Sequence, residues 1–205
     1  MTAGAAGRVG LALCGGRSVR MGRDKALLPW RDDDLLGHAL ARLALVAEEV
    51  AVLCGPEPRY ADRGAPVVTD RDAGDGPVVG LLAGLEHARG RPVVLLAVDL
   101  PLVPAALLRR LADALAGGDA VVPVSSGGPE PLCAAYGPAC LPAIRARLAR
   151  GERKMTAFWP DVRVREVLPA ELAPFGDPEA MFLNVNEAAD LERAVRLSAA
   201  TGGRR

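Results

Sequence analysis

The chain's apolar residues come in an alternation, and this limits its possible folds more than any other feature. Short β-rich runs alternate with longer helical patterns: VGLALC, then LLGHALARLALV, VAVLC, PVVT, GLLAGLEHA, PVVLLAV and PAALLRRLADAL. Such an order reads as successive βαβ units around a parallel sheet. In the first helical pattern Leu36, Leu40, Leu43 and Ala47 recur at i, i+4, i+7 and i+11, drawing one apolar stripe. The expected class is α/β, a mostly parallel sheet flanked by helices.

Further along, Pro104 stands at a first-turn position, where its missing N–H costs nothing, and a helix is expected from there towards Leu115. Two short strands, AVVPV and PLCAAY, follow on either side of the turn-rich SSGGPE, and then a helix from Leu141 to Ala149. VRVREV reads as an edge strand, FLNV as a short strand and Glu187 to Ala199 as a closing helix. At 205 residues one domain with a sizeable core is expected. Residues 1–7 and 200–205 read as flexible ends.

Composition removes several classes of function. The 25 basic and 25 acidic groups balance, so no net field invites nucleic acid or an anionic membrane. Aromatics at 3% leave little for base stacking. Cysteines 14, 54, 133 and 140 form no CxxC pair, and His38 and His87 have no companions at metal-ligand spacing, so neither zinc nor a disulfide framework is expected. MTAGAAG lacks a basic region followed by an apolar core, and no apolar run of about 18 residues occurs, so neither a signal peptide nor a membrane span is expected. A cytoplasmic protein with reduced cysteines is expected.

The stretch LALCGGRSVRMGRDKALL follows the first strand, at the strand end where open α/β sheets bind ligands. Lys25 follows Asp24 and precedes Ala26, so this is no P-loop; Gly15, Gly16 and Gly22 do not fit GxGxxG. Yet Gly15 and Gly16 let the backbone turn sharply and present N–H groups, and Arg17, Arg20, Arg23 and Lys25 supply cationic donors. A triphosphate suits such a loop. On composition alone a surface turn with solvated arginines stays open.

LCGGRSVRMGRDKALL resembles the signature LxGGxSxRMGxDKxLL of the molybdenum cofactor guanylyltransferases, within the nucleotidyltransferase superfamily. GPVVGLLAGL (76–85), AVDLPLVP (97–104), EPLCAAY (130–136), ARGERKM (149–155) and FLNVNEAADLERA (182–194) match the same family in order, covering nearly the whole chain. The resemblance implies a single-domain, Rossmann-like nucleotidyltransferase fold. It also implies transfer of GMP from GTP to the terminal phosphate of molybdopterin, with Mg²⁺ and release of pyrophosphate. Molybdoenzymes or their chaperones are the protein partners it allows.

The resemblance makes Lys25, Asp99 and Arg20 the catalytic candidates. Asp99 follows the apolar run PVVLLAV and is the expected metal ligand; the alternative is a carboxylate that caps the next turn. Lys25 is expected to contact the triphosphate and offset charge developing there; the alternative is a solvated lysine paired with Asp24. Leu13, Cys14, Gly15 and Gly16 match nucleotide-binding positions. Cys14 stands where the family usually has alanine and is read as a small neighbour of the ligand, not a nucleophile. Asp70 matches a nucleotide-binding aspartate, although TDRDAGDG is also an ordinary turn. Gly76, Pro77 and Gly80 shape the next loop. Arg153, Lys154, Asn184 and Asn186 are candidates for the acceptor, the two asparagines sharing a face if FLNVN is extended.

One departure stands out. After the second strand the family usually carries an asparagine, where this chain has Leu53, Cys54 and Gly55, which weakens guanine selectivity most. Two other readings remain: a transferase using CTP with molybdopterin or another phosphorylated acceptor, and a non-catalytic protein that delivers the cofactor. The double glycine at 15 and 16 favours the guanylyl branch over the first. Retention of Lys25 and Asp99 argues against the second.

Overall fold

Seven strands build the main sheet: β1 (Val9–Leu13), β2 (Glu49–Leu53), β3 (Val67–Val68), β4 (Val93–Ala97), β5 (Ala120–Ser125), β6 (Cys133–Tyr136) and β7 (Val164–Val167). They lie in the order β7-β5-β6-β4-β1-β2-β3, and Gly128–Pro129 adds a two-residue strand to β5. A computed structural model describes residues 7–14, 24–70 and 76–202. Neighbouring strands are parallel except around β6, which runs against both β4 and β5. All five residues of β1 and all five of β4 are buried, as parallel strands covered on both faces require. That is why the sequence presents them as unbroken apolar runs rather than alternations.

The covering helices are α1 (Leu35–Ala44), α2 (Pro77–Ala88), α3 (Ala105–Ala114), α4 (Cys140–Leu148) and α5 (Ala188–Gly202). Asp34 caps α1 by accepting from the Gly37 N–H at 2.9 Å. Leu36 and Leu43 of its stripe are fully buried; the helix ends before Ala47, the stripe's last expected member. On one face of β1, Ala12 and Cys14 pack towards α1, and on the other Val9, Leu11 and Leu13 pack towards α2. Glycine permits this closeness: a Cβ on Gly10 would sit 2.9 Å from Leu43 Cβ, and one on Gly84 would sit 2.4 Å from Leu11 Cδ1.

VRVREV is an edge strand, as expected, because among the described residues β7 pairs only with β5. The expected strand at FLNV does not form. Residues 183–186 make no ladder; the segment crosses the strand ends, with the Val185 N–H donating to the Asp99 carbonyl at 2.9 Å. Its polar–apolar alternation is real, with Val185 fully buried between exposed Asn184 and Asn186. Alternation reports half-burial of an extended segment, which a docked loop shares with a strand.

A pH effect follows from α1. His38 packs edge-on against Trp30, ring centroids 5.6 Å apart, and its Nε2 accepts from Arg42 Nε at 2.8 Å. Burial, then the Arg42 charge, lowers its pKa to about 4. The neutral ring belongs to the folded state, so this stability is complete above the unfolded pKa near 6.5 and is lost as pH falls towards 4. Between pH 7 and pH 5 stability should fall, by about 1 kcal/mol once solvent screening of this partly exposed ring is allowed for. Urea unfolding at the two pH values measures it, and His38→Gln should flatten the slope by that amount; an unchanged slope would remove His38 from the account.

Candidate active site

Register sets the location of the site. Leu13 lies level with Leu53 on one side and Ala97 on the other, and Leu53 lies level with Val68. Cys14, Cys54, Val98 and Thr69 therefore leave the sheet at one edge, taking the loops that follow with them. The chain runs from β1 outward to β2 and β3, then returns to β4 on the other side of β1. The order thus reverses between β1 and β4, which is where open sheets form a ligand crevice.

Lys25 and Asp99 meet in that crevice. Lys25 opens a short helical turn, Lys25–Leu27, and its Nζ donates to Asp99 Oδ2 at 3.0 Å and to Asn186 Oδ1 at 2.9 Å. Both charged side chains are largely shielded, at 14% and 20% exposure, so their attraction is weakly screened. This overturns the alternative in which Lys25 pairs with Asp24 in solvent. Asp24 is otherwise engaged: its Oδ1 caps the turn through the Ala26 N–H at 3.1 Å, and its Oδ2 accepts from Tyr60 Oη at 2.7 Å and from Arg59 at 3.3 Å.

Asp99 Oδ1 is buried with no hydrogen-bond partner among the described residues. A buried carboxylate oxygen left so is costly unless something else fills its coordination, and a cation or its bound water would. Among the described residues no three His, Cys, Asp or Glu side chains gather to hold an ion. A single carboxylate completed by phosphate oxygens and waters is the usual manner of Mg²⁺, and the donors here fit it.

The other candidates divide by position. Leu13 and Cys14 are fixed by the sheet, the Leu13 carbonyl accepting from the Val98 N–H and the Cys14 N–H donating to the Leu53 carbonyl. Burial, then the charge of Asp24, pushes the Cys14 thiol well above its ordinary range, which suits a packing residue and not a nucleophile. Asp70 leaves β3 at the same edge and its N–H donates to the Gly55 carbonyl at 3.2 Å. Cys54 turns inward, 1% exposed, its Sγ donating to the Glu57 carbonyl. No polar side chain at 54 faces the cleft.

Arg153 and Lys154 are exposed, and the Arg153 carbonyl lies 3.9 Å from where a Cβ on Gly76 would sit, which places them beside the start of α2. Asn184 and Asn186 separate: Asn186 bonds to Lys25, while the Asn184 amide donates to the Phe182 carbonyl at 3.3 Å. Gly15, Gly16, Arg17, Arg20 and Arg23 lie outside the described residues. The sequence reading missed Arg59 and Tyr60. Nothing local in the sequence links them to Asp24, which lies 35 and 36 positions earlier.

A family model described as the MobA-like NTP transferase domain matches residues 10–164. The chain belongs to that family. This MobA-like NTP transferase is 36% identical over 191 residues to the molybdenum cofactor guanylyltransferase of Rhodobacter capsulatus, covering 90% of this chain and 93% of that one. It is 32% identical over 187 residues to the enzyme of the same name from Serratia proteamaculans, covering 90% and 92%. The crystal structure of molybdopterin-guanine dinucleotide biosynthesis protein A from Archaeoglobus fulgidus superposes with a TM-score of 0.79 at 26% identity, over 94% of this chain and 99% of that one. No helix among the described residues of this transferase is long and apolar enough to cross a membrane.

Proposed function

We propose that the chain transfers GMP from GTP to the terminal phosphate of molybdopterin. The observation that carries this is the shielded Lys25–Asp99 pair in the crevice between β1 and β4, in a family whose relatives are named for guanylyl transfer. An oxygen of the acceptor phosphate attacks the α-phosphorus of GTP, the bond from that phosphorus to the bridging oxygen breaks, and pyrophosphate leaves with the electron pair. Such transfer depends on positioning and on positive charge around the phosphates.

Lys25 supplies that charge on the α-phosphate and the departing pyrophosphate, with Arg20 assisting from the preceding loop. Gly15 and Gly16, with Leu13 and Cys14, give the nucleotide its backbone contacts, and Asp70 holds the guanosine end beyond β2. Asp99 would hold Mg²⁺, which when bound neutralises phosphate charge. Arg153 and Lys154 bind the acceptor phosphate beside the start of α2.

The two asparagines have different roles in this scheme. Asn186 holds Lys25, so Asn186→Ala should lower kcat about 10-fold, as for a lost hydrogen bond to a charged group, with the KM for molybdopterin little changed. Asn184 faces the acceptor, so Asn184→Ala should raise that KM and spare kcat. Initial rates with varied molybdopterin separate the two, and the reversed pattern would exchange the assignments. Base choice is tested by turnover of GTP against CTP with molybdopterin. Preference for GTP is expected; preference for CTP would move the chain to the cytidylyl reading, which the buried Cys54 would then help explain.

A further inference from the structure

Lys25 is fixed at its tip by Asp99 and Asn186, but its backbone needs a second anchor, because a lysine stem is long and a 3-residue turn is short. That anchor is Asp24. With one oxygen it caps the turn, and with the other it is held by Tyr60 and Arg59. Arg59 also donates to the Cys54 carbonyl at the end of β2, at 3.2 Å, and its guanidinium lies 5.2 Å from the centre of the Tyr60 ring. Tyr60 is 9% exposed and holds a left-handed backbone, φ 66° and ψ 27°, uncommon for a residue with a large side chain and found where surrounding contacts over-determine it. Burial, then the bond to Asp24, raises its phenol pKa, so the hydroxyl stays a donor.

We infer that Tyr60 and Arg59 are positioning residues for guanylyl transfer: they lock Asp24 to the end of β2 and so aim the Lys25 turn at Asp99. The segment after β2, where the family's usual asparagine is absent, thereby serves the phosphate end of the site. Arg59 has an electrostatic part as well. Asp24 is an anion beside the place proposed for a triphosphate, and the guanidinium offsets it.

The inference rests on the proposed guanylyl transfer, and one set of rate measurements distinguishes their failures. With Mg²⁺, GTP and molybdopterin, an inactive wild-type chain overturns the proposed function and this inference with it. With an active wild type, Tyr60→Phe should lower kcat about 10-fold, the loss of one hydrogen bond to a charged group, while the KM for molybdopterin holds and the chain stays folded at the assay temperature with a modestly lowered thermal midpoint. Arg59→Lys, which keeps the charge but loses the fork geometry, should recover more activity than Arg59→Ala. In a Lys25→Ala background Tyr60→Phe should cost nothing further, since both changes act through one group. An unchanged kcat in Tyr60→Phe, or an equal loss in both backgrounds, overturns the inference. If the Lys25→Ala rate is too slow to divide, hydrogen exchange at the Ala26 amide decides: Tyr60→Phe must speed it, and unchanged protection overturns the inference.

Discussion

Asp99→Ala should abolish guanylyl transfer and, because Lys25 is then left shielded without its partner, lower the thermal midpoint while leaving the chain folded. One oxygen of the side chain accepts from Lys25, and the other is buried with no hydrogen-bond partner among the described residues. Removing the side chain takes away the partner that orients Lys25 and the proposed cation ligand together, and a rate loss of about 1,000-fold or more is expected. Structure survives because the contact that pins residues 183–186 uses the Asp99 backbone carbonyl, which alanine retains. Asp99→Asn should be nearly as inactive, since an amide keeps the shape but not the charge. Initial rates and circular dichroism on the two variants check this. Full activity in either would remove Asp99 from the proposed chemistry.

Lys25→Ala is the second large effect. An ammonium already positioned in a shielded crevice stabilises charge as it develops and needs no reorganisation when the reaction occurs, worth on the order of 2 to 4 kcal/mol, or about 30- to 1,000-fold in rate. The loss should fall on kcat, not only on the KM for GTP. A raised KM with unchanged kcat would mean that Lys25 binds ground state and transition state equally. The variant should also leave Asp99 shielded without its partner, and removing one member of such a pair is destabilising. A lowered thermal midpoint is therefore expected alongside the slower rate.

Much of the architecture was legible because parallel strands buried on both faces must be apolar throughout, and β1 and β4 show that directly. Register was not legible, since nothing local in the sequence says that Leu13 lies level with both Leu53 and Ala97. Nor does composition reveal that PLCAAY turns against its neighbours as β6: a strand buried on both sides reads alike in either direction. At the site, residue types were readable and partners were not. Lys25 has Asp24 next to it in sequence, yet bonds to Asp99, 74 positions away. The adjacent aspartate caps the turn instead, because a short acidic side chain before a helical turn reaches that turn's free N–H groups more easily than it reaches its neighbour's ammonium. The strand expected at FLNVN, with Asn184 and Asn186 together on its acceptor face, does not form; what the alternation reports is the burial of Val185 between two exposed asparagines. Their separation, one on Lys25 and one on its own loop, comes from how that segment lies across the strand ends, which only tertiary structure determines.

The central claim is tested most directly by pyrophosphate release. Purified protein with Mg²⁺ and GTP should release little pyrophosphate, and adding molybdopterin should start release in step with formation of the guanine dinucleotide. Omitting Mg²⁺ or replacing Asp99 should stop it. No release with all three present, or release that does not require molybdopterin, would contradict the account.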